Sequence, residues 1–163
     1  MNPNFDEIDR AILRELQHDA RRANKALAES VGVSPSTMVN RVRALEESGA
    51  IRGYHADVDP TALGRNVDAL ISVRLQPKTP ATVDAFIEAV WQLEETVAVS
   101  LVTGSFDALI HLSVANIASL SETVMRGIAS APGVVDEQTS IVFEHRRRSV
   151  LEPSFPAQGV GTG

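Results

Sequence analysis

The most constraining stretch of this 163-residue chain is NKALAESVGVSPSTMVNRVRALEESGAI, from Asn24 to Ile51. Two short helical patterns flank Gly32, and few geometries let two helices meet across so short a break. Leu27, Ala28 and Val31 fit one apolar helical face. Gly32 is free to take the positive φ of a tight turn, and Val33 fills the angle between the helices. Ser34-Pro35 restarts a helix, with a hydroxyl to cap it and proline at its first position. At roughly 100° per residue the second helix divides cleanly. Met38, Val42 and Leu45 fall on one side, while Ser36, Thr37, Asn40, Arg41, Arg43 and Glu47 spread over the rest. An apolar back with short polar or arginine side chains in front is what a DNA major groove admits, so the layout is that of a helix-turn-helix. A surface helix of an ordinary bundle carries the same periodicity, and the pattern alone leaves that alternative open.

A length of 163 residues allows one domain or two small ones, and 44% hydrophobic content supports a real core. No apolar run approaches the length of a membrane span. The N-terminal MNPNFDEIDR is acidic early and lacks the basic-then-apolar order of a secretion signal, so a cytoplasmic location is expected. With no cysteine the chain has no disulfide, thiolate metal site or cysteine nucleophile. The net charge of −6 disfavours nucleic acid on its face, so its distribution matters. Residues 1–60 carry −2 and residues 61–163 carry −4. Between residues 20 and 45, however, Arg21, Arg22, Lys25, Arg41 and Arg43 face only Glu29, a local +4. Phosphate attraction is local over a Debye length of about 8 Å, so this distribution permits DNA binding without requiring it.

Helical spacing of Phe5, Ile8, Ile12, Leu13 and Leu16 predicts a first helix from Phe5 to His18, with Asn4 and Glu7 resembling a capping box. The third helix should end at Ser48-Gly49, and residues 51–58 read as a strand leaving the helical unit. A domain boundary is expected near residues 57–66, where Asp59-Pro60 and Leu63-Gly64 mark turns. The period then changes. Ile71, Val73 and Leu75 alternate with Ser72, Arg74 and Gln76, a half-buried strand ended by Pro77 and Pro80. Residues 81–94 return to helical spacing. Strands follow at 97–102 and 107–114 around Thr103-Gly104-Ser105. Ile117, Leu120, Val124 and Ile128 then make a second helical stripe, and residues 134–144 a fourth strand. The order is β-α-β-β-α-β, the ferredoxin-like arrangement, with two helices on one sheet face and the other face left as a natural dimer surface. Residues 149–163, rich in Gly and Pro near the end, are expected to be a disordered tail.

In this order and spacing, residues 5–145 resemble the Lrp/AsnC family, the feast/famine transcriptional regulators. The resemblance is carried by FDEIDRAILRELQHDARRANKALAESVGVSPSTMVNRVRALEESGAIRGYHADVDPTALG, VTGSFDALIHLSV and APGVVDEQTSIV. It implies an α+β chain with an N-terminal winged-type helix-turn-helix domain over residues 1–60. A ferredoxin-like βαββαβ (RAM, or effector) domain over residues 61–148 then senses a ligand and oligomerises. Family members are dimers that commonly assemble into octamers, and many bind amino acids. The family's recognition helix falls on Ser34 to Ser48. Its Gly-aromatic-Asp effector loop falls on Gly104-Ser105-Phe106-Asp107 and its partner segment on Gln138-Thr139-Ser140. Two positions depart from the family pattern. Ala23 stands where many relatives have serine or threonine, leaving Asn24 as the cap, and Phe106 stands where tyrosine is frequent. Loss of the phenolic hydroxyl points toward an apolar or aromatic amino acid.

The expected DNA-binding set is therefore Arg21, Arg22, Ser34, Ser36, Thr37, Asn40, Arg41 and Arg43, with Arg41 the first candidate for a base or phosphate. The expected effector set is Thr103, Gly104, Ser105, Phe106, Asp107, Gln138, Thr139 and Ser140. In it, glycine exposes backbone N–H groups and Asp107 accepts an ammonium. His18, His55, His111 and His145 are scattered without metal-ligand spacing, so no metal is expected. No triad, phosphate loop or carboxylate pair compels a catalytic reading. The expected partners are duplex DNA with a palindromic operator, an amino-acid effector, and further copies of the chain, with no cofactor and no membrane. Two rival functions remain at this level: an amino-acid-sensing interaction module, and a small ferredoxin-like enzyme.

Overall fold

The computed structural model describes residues 5–152. The chain divides into two units: among the described residues one comprises 5–57 and 146–152, and the other is Val58–His145.

The first unit holds three helices, α1 (Glu7–His18), α2 (Asn24–Val31) and α3 (Pro35–Glu47). Asp6 caps α1 and forms a reciprocal box with Asp9: its Oδ1 accepts from the Asp9 N–H, while Asp9 Oδ2 accepts from the Asp6 N–H. The box expected at Asn4 and Glu7 has its first member outside the described residues. The observed box stands two residues later, and Glu7 and Asp9 occupy the positive end of the helix dipole. Asn24 is the first residue of α2 rather than its cap; Ala23 holds the cap position and no side chain bonds there. Gly32, at φ +78°, makes the left-handed turn into α3, which Ser34 caps through the Thr37 N–H. Ile12, Leu27, Ala28, Met38, Val42 and Leu45 form the buried core, closed by Phe5, Ile8, Val33 and Ile51. Residues 51–58, expected to be a strand, carry no strand pairing. Backbone groups need a partner to make a ladder, and none lies beside them among the described residues.

The second unit opens with a single 3-10 turn, Pro60–Leu63. It continues through β1 (Val67–Leu75), α4 (Pro80–Trp91), β2 (Thr96–Leu101), β3 (Ala108–Val114), α5 (Ile117–Thr123) and β4 (Val134–Val142). The strands form one antiparallel sheet in the order β2-β3-β1-β4. Ala69, Ile71, Val73 and Leu75 of β1 and Ala108, Ile110 and Leu112 of β3 are buried beneath Phe86 and Val90 of α4 and Leu120, Val124 and Ile128 of the second helical segment. That segment widens to π geometry over Val124–Ile128, where a side chain at Gly127 would collide with Leu93. Ile117, expected in the same stripe, is 54% exposed, because α5 starts there and its first turn overhangs the core. No helix among the described residues is long and apolar enough to cross a membrane.

Two separate cores predict two separable stabilities. Ile12 is fully buried, and Ile12→Ala should cost about 2–5 kcal/mol. Native-state hydrogen exchange should show the loss in the amides of α1, α2 and α3, with those of β1 and β3 unchanged. Equal loss in both sets would show that the units unfold as one.

Candidate functional site

The outer side of α3 is a stripe. Ser36, Val39, Asn40 and Arg43 recur three and four residues apart and all are exposed, while Met38, Val42 and Leu45 anchor the opposite side. Ser34 Oγ lies 3.0 Å from Ser36 Oγ and 2.7 Å from Thr37 Oγ1, so the three hydroxyls form one cluster at the start of the helix. Arg43 has no ion-pair partner among the described residues. Val39, 40% exposed, was missed by the sequence reading because valine reads as core. Its signal was its place between Ser36 and Asn40, off the apolar stripe.

Arg41 is placed differently from its neighbours. Its Nη1 donates to Asp6 Oδ2 and to Asp9 Oδ1, each at 2.8 Å, so α3 is tied to the capping box of α1. The Asp9 N–H and then the Arg41 guanidinium hold the Asp6 carboxyl below the usual range, and the same two carboxylates raise Arg41. Beside this bridge lies a cavity of about 430 Å³ lined by Phe5, Thr37, Asn40, Ala44 and Ser48. Sequence reasoning gave Arg41 to a base or phosphate; the carboxylates that hold it are more than thirty residues away. Of the other basic candidates, Arg21 is exposed, and Arg22 is paired with Glu15 on α1.

In the second unit, residues Val102–Asp107 link β2 to β3. Gly104 has φ +126°, a conformation side-chain-bearing residues rarely adopt, yet a Cβ there would meet nothing within 4 Å. Its requirement is therefore conformational rather than a matter of space. Both oxygens of Asp107 are occupied: Oδ2 accepts from the Leu75 N–H at 2.9 Å and Oδ1 from Lys78 Nζ at 2.7 Å. The Lys78 ammonium, then the Leu75 N–H, holds the Asp107 carboxyl below its ordinary range. Arg74 reaches the same loop, with its Nε 3.4 Å from the Ser105 carbonyl, its guanidinium 5.8 Å from the Phe106 ring centre and Nη2 3.4 Å from Asp136. Lys78 and Arg74 were not among the expected site residues. The register that sets Val73 opposite Ala108 brings them there, and register is not written in either segment alone.

Gln138, Thr139 and Ser140 do not share a surface. Gln138 and Ser140 pair with Ser72 and Leu70 on the face away from the helices, whereas Thr139 pairs with Ile71 and points to the helix side. Within one chain β1 also stands between β4 and β3, so these residues do not converge on Asp107. The uncovered face carries Leu70, Ser72, Arg74, Ala98, Ser100, Leu109 and His111. His111 Nε2 lies 3.3 Å from Asp68 Oδ1, and its ring centre is 6.1 Å from that of His145, two histidines the sequence kept apart. Trp91, on α4, is 57% exposed.

Both units of the chain match known families in the order found. Residues 5–46 match the model of the AsnC-type helix-turn-helix domain, and residues 68–150 that of the Lrp/AsnC ligand binding domain. The chain is 39% identical over 143 residues to the HTH-type transcriptional regulator AldR of Mycolicibacterium smegmatis, covering 88% of this chain and 84% of the relative. It is 36% identical over 145 residues to the leucine-responsive regulatory protein of Escherichia coli, covering 89% and 88%. Among solved structures, a transcriptional regulator of Neisseria meningitidis in complex with L-Met superposes with a TM-score of 0.83 at 28% identity, covering 92% of this chain and 96% of the other. Escherichia coli AsnC superposes with a TM-score of 0.82 at 28% identity, covering 91% and 99%. With a DNA-binding helix-turn-helix in its first unit and a ligand-binding domain in its second, this chain belongs to the Lrp/AsnC family of transcriptional regulators.

Proposed function

We propose that the chain acts as a homodimer, or a closed assembly of dimers, that reads a near-palindromic operator and answers to an amino acid. The observation that carries this is a pairing of surfaces: a recognition helix with a polar outer stripe, and a sheet with one face left bare. The bare face offers Leu70, 41% exposed, beside Leu109 and His111 on the neighbouring strand. A self-complementary face of this kind suits a two-fold contact, and a two-fold pair of α3 helices suits half-sites one turn, ~10 bp, or a multiple apart.

On the helix, Ser36, Val39, Asn40 and Arg43 are the base-reading set, with Val39 suited to a thymine methyl and Arg43 to guanine. Thr37 and Ser34 stand at the rim, and Arg21 and Arg22 flank the backbone. Arg41 serves DNA binding by fixing the tilt of α3 on α1. In the second unit Thr103–Asp107 receives the effector, with Gln138 and Ser140 supplied across a subunit contact. Asp107 Oδ1, held by an exposed lysine, is the acceptor for the α-ammonium. The L-Met complex of the Neisseria meningitidis regulator supports an amino acid as the ligand class. No arrangement among the described residues favours an enzyme.

Three measurements test this reading. Arg43→Ala should weaken operator binding by about 1–3 kcal/mol and relax the preference at one base pair. Arg41→Ala should weaken binding to all duplexes and lower the stability of the first unit. If Arg41→Ala instead relaxed one base position with stability intact, the two roles would be exchanged. Leu70→Asp should turn a dimer into a monomer in sedimentation at tens of micromolar, roughly where a modest interface is populated; an unchanged dimer would move the contact elsewhere.

Asp107 gives a pH signature. Its folded pKa lies below the unfolded value of about 3.9. Its contribution is therefore complete above that value and is lost as pH falls through the folded one. Asp107→Asn, which keeps an acceptor for Leu75 N–H, should remove that acid-side loss from the melting curve and abolish calorimetric binding of amino acids. Lys78→Ala should tighten binding by up to about fivefold, the worth of an exposed ion pair. Unaltered affinity in Asp107→Asn would exclude this carboxylate from the ligand.

A further inference from the structure

The division of the chain into units reassigns its charge. Arg146, Arg147 and Arg148 follow the last strand of the ligand-binding domain in sequence but belong to the helix-turn-helix unit. Counted this way, the DNA-binding unit holds eleven Lys/Arg against ten Asp/Glu, a net of +1, and the other unit four against eleven, a net of −7. Read as halves of the sequence, both parts are acidic; read as folded units, the one with the recognition helix is positive.

The returning segment is fastened. The Leu151 N–H donates to Gln17 Oε1 at 2.8 Å, and Gln17 Nε2 donates to the Leu151 carbonyl at 3.2 Å, so one side-chain amide grips both backbone groups of one residue. Arg14 Nε pairs with Glu152 at 3.2 Å. At the other end, Arg147 lies 3.9 Å from Asp57, with both side chains largely solvated. A pair so long and so exposed holds little of the guanidinium's capacity. Arg148 is exposed and has no ion pair among the described residues. The strap thus comes to rest on the last turns of α1, the helix that leads through Arg21 into α2, whose first-turn N–H groups no side chain caps. Uncapped N–H groups at a helix start suit a phosphate.

We propose that Arg147 and Arg148 form a second DNA contact, a phosphate-binding strap that grips the backbone outside the major groove read by α3. The strap carries no base-reading geometry. It adds affinity on every sequence, and by holding two solvated guanidinium groups on a fastened backbone it adds charge without the entropy loss of a free tail. This inference rests on the family's DNA binding and adds to it a surface outside the helix-turn-helix.

Each phosphate neutralised contributes about −0.9 to the slope of log K against log[salt]. Full-length protein carrying Arg147→Ala and Arg148→Ala should therefore bind a short random-sequence duplex with a slope shallower by about two per bound subunit. Arg147→Lys with Arg148→Lys should retain the wild-type slope, and far-ultraviolet dichroism should be the same in all three proteins. An Ala pair with the wild-type slope overturns the strap. So does a Lys pair that loses the slope as the Ala pair does, since phosphate attraction needs charge rather than guanidinium shape. Wild-type protein failing to bind any duplex would instead remove the reading on which the strap rests, a distinguishable result.

Discussion

A β-strand sends successive side chains to opposite sides, and among the described residues the helices cover only one side of this sheet. That constraint organises the second unit. Ala69, Ile71, Val73 and Leu75 go under the helices with Ala108, Ile110 and Leu112, and the residues between them are forced onto the other face. Leu70, Leu109 and His111 lie there as a consequence of the same alternation that buries their neighbours. The alternation also splits Gln138 and Ser140 from Thr139, so β4 presents different chemistry to its two sides. Burial and the uncovered face are set by one periodicity.

In the first unit the corresponding constraint acts on a single helix. The core claims Met38, Val42 and Leu45, and the carboxylates of the α1 capping box claim Arg41. What is left exposed is the stripe of Ser36, Val39, Asn40 and Arg43. The capping box thereby has two uses: it satisfies the orphan N–H groups at the start of α1, and it supplies the negative charge that docks α3. Two arginines two residues apart on one helix are thus placed differently: Arg41 is bound to the α1 carboxylates and Arg43 is exposed.

Asp107 shows the same economy in the second unit. One carboxylate oxygen is committed to the β1 backbone at Leu75, which fixes where the loop sits. The other meets Lys78, whose side chain is 61% exposed, so this ion pair is open to water. A loop held only by the exposed lysine would be weakly placed, and the bond to the Leu75 N–H supplies the fixed point. Charge is distributed on a larger scale too, with the acidic unit binding small molecules and the returning arginines reversing the sign of the unit that meets DNA.

The residues by themselves determined the elements. Periods of 3.6 and 2, the Ser34-Pro35 start and the turn at Gly32 depend on local sterics and on which side chains leave water, and these are properties of short segments. The helix-turn-helix and the β-α-β-β-α-β order were therefore legible, and the segments that form them carried the resemblance to the family. What only the tertiary structure decided was the partnering of charged groups. Arg41 chose Asp6 and Asp9 over Glu46 and Glu47, Asp107 met Lys78, Arg74 met Ser105 and Asp136, and Leu151 folded back on Gln17. A charged side chain accepts any partner of opposite sign within reach, so its choice is made by whatever the folding of the apolar groups brings close. The strand expected at residues 51–58 failed for the related reason that pairing belongs to two segments and not to one.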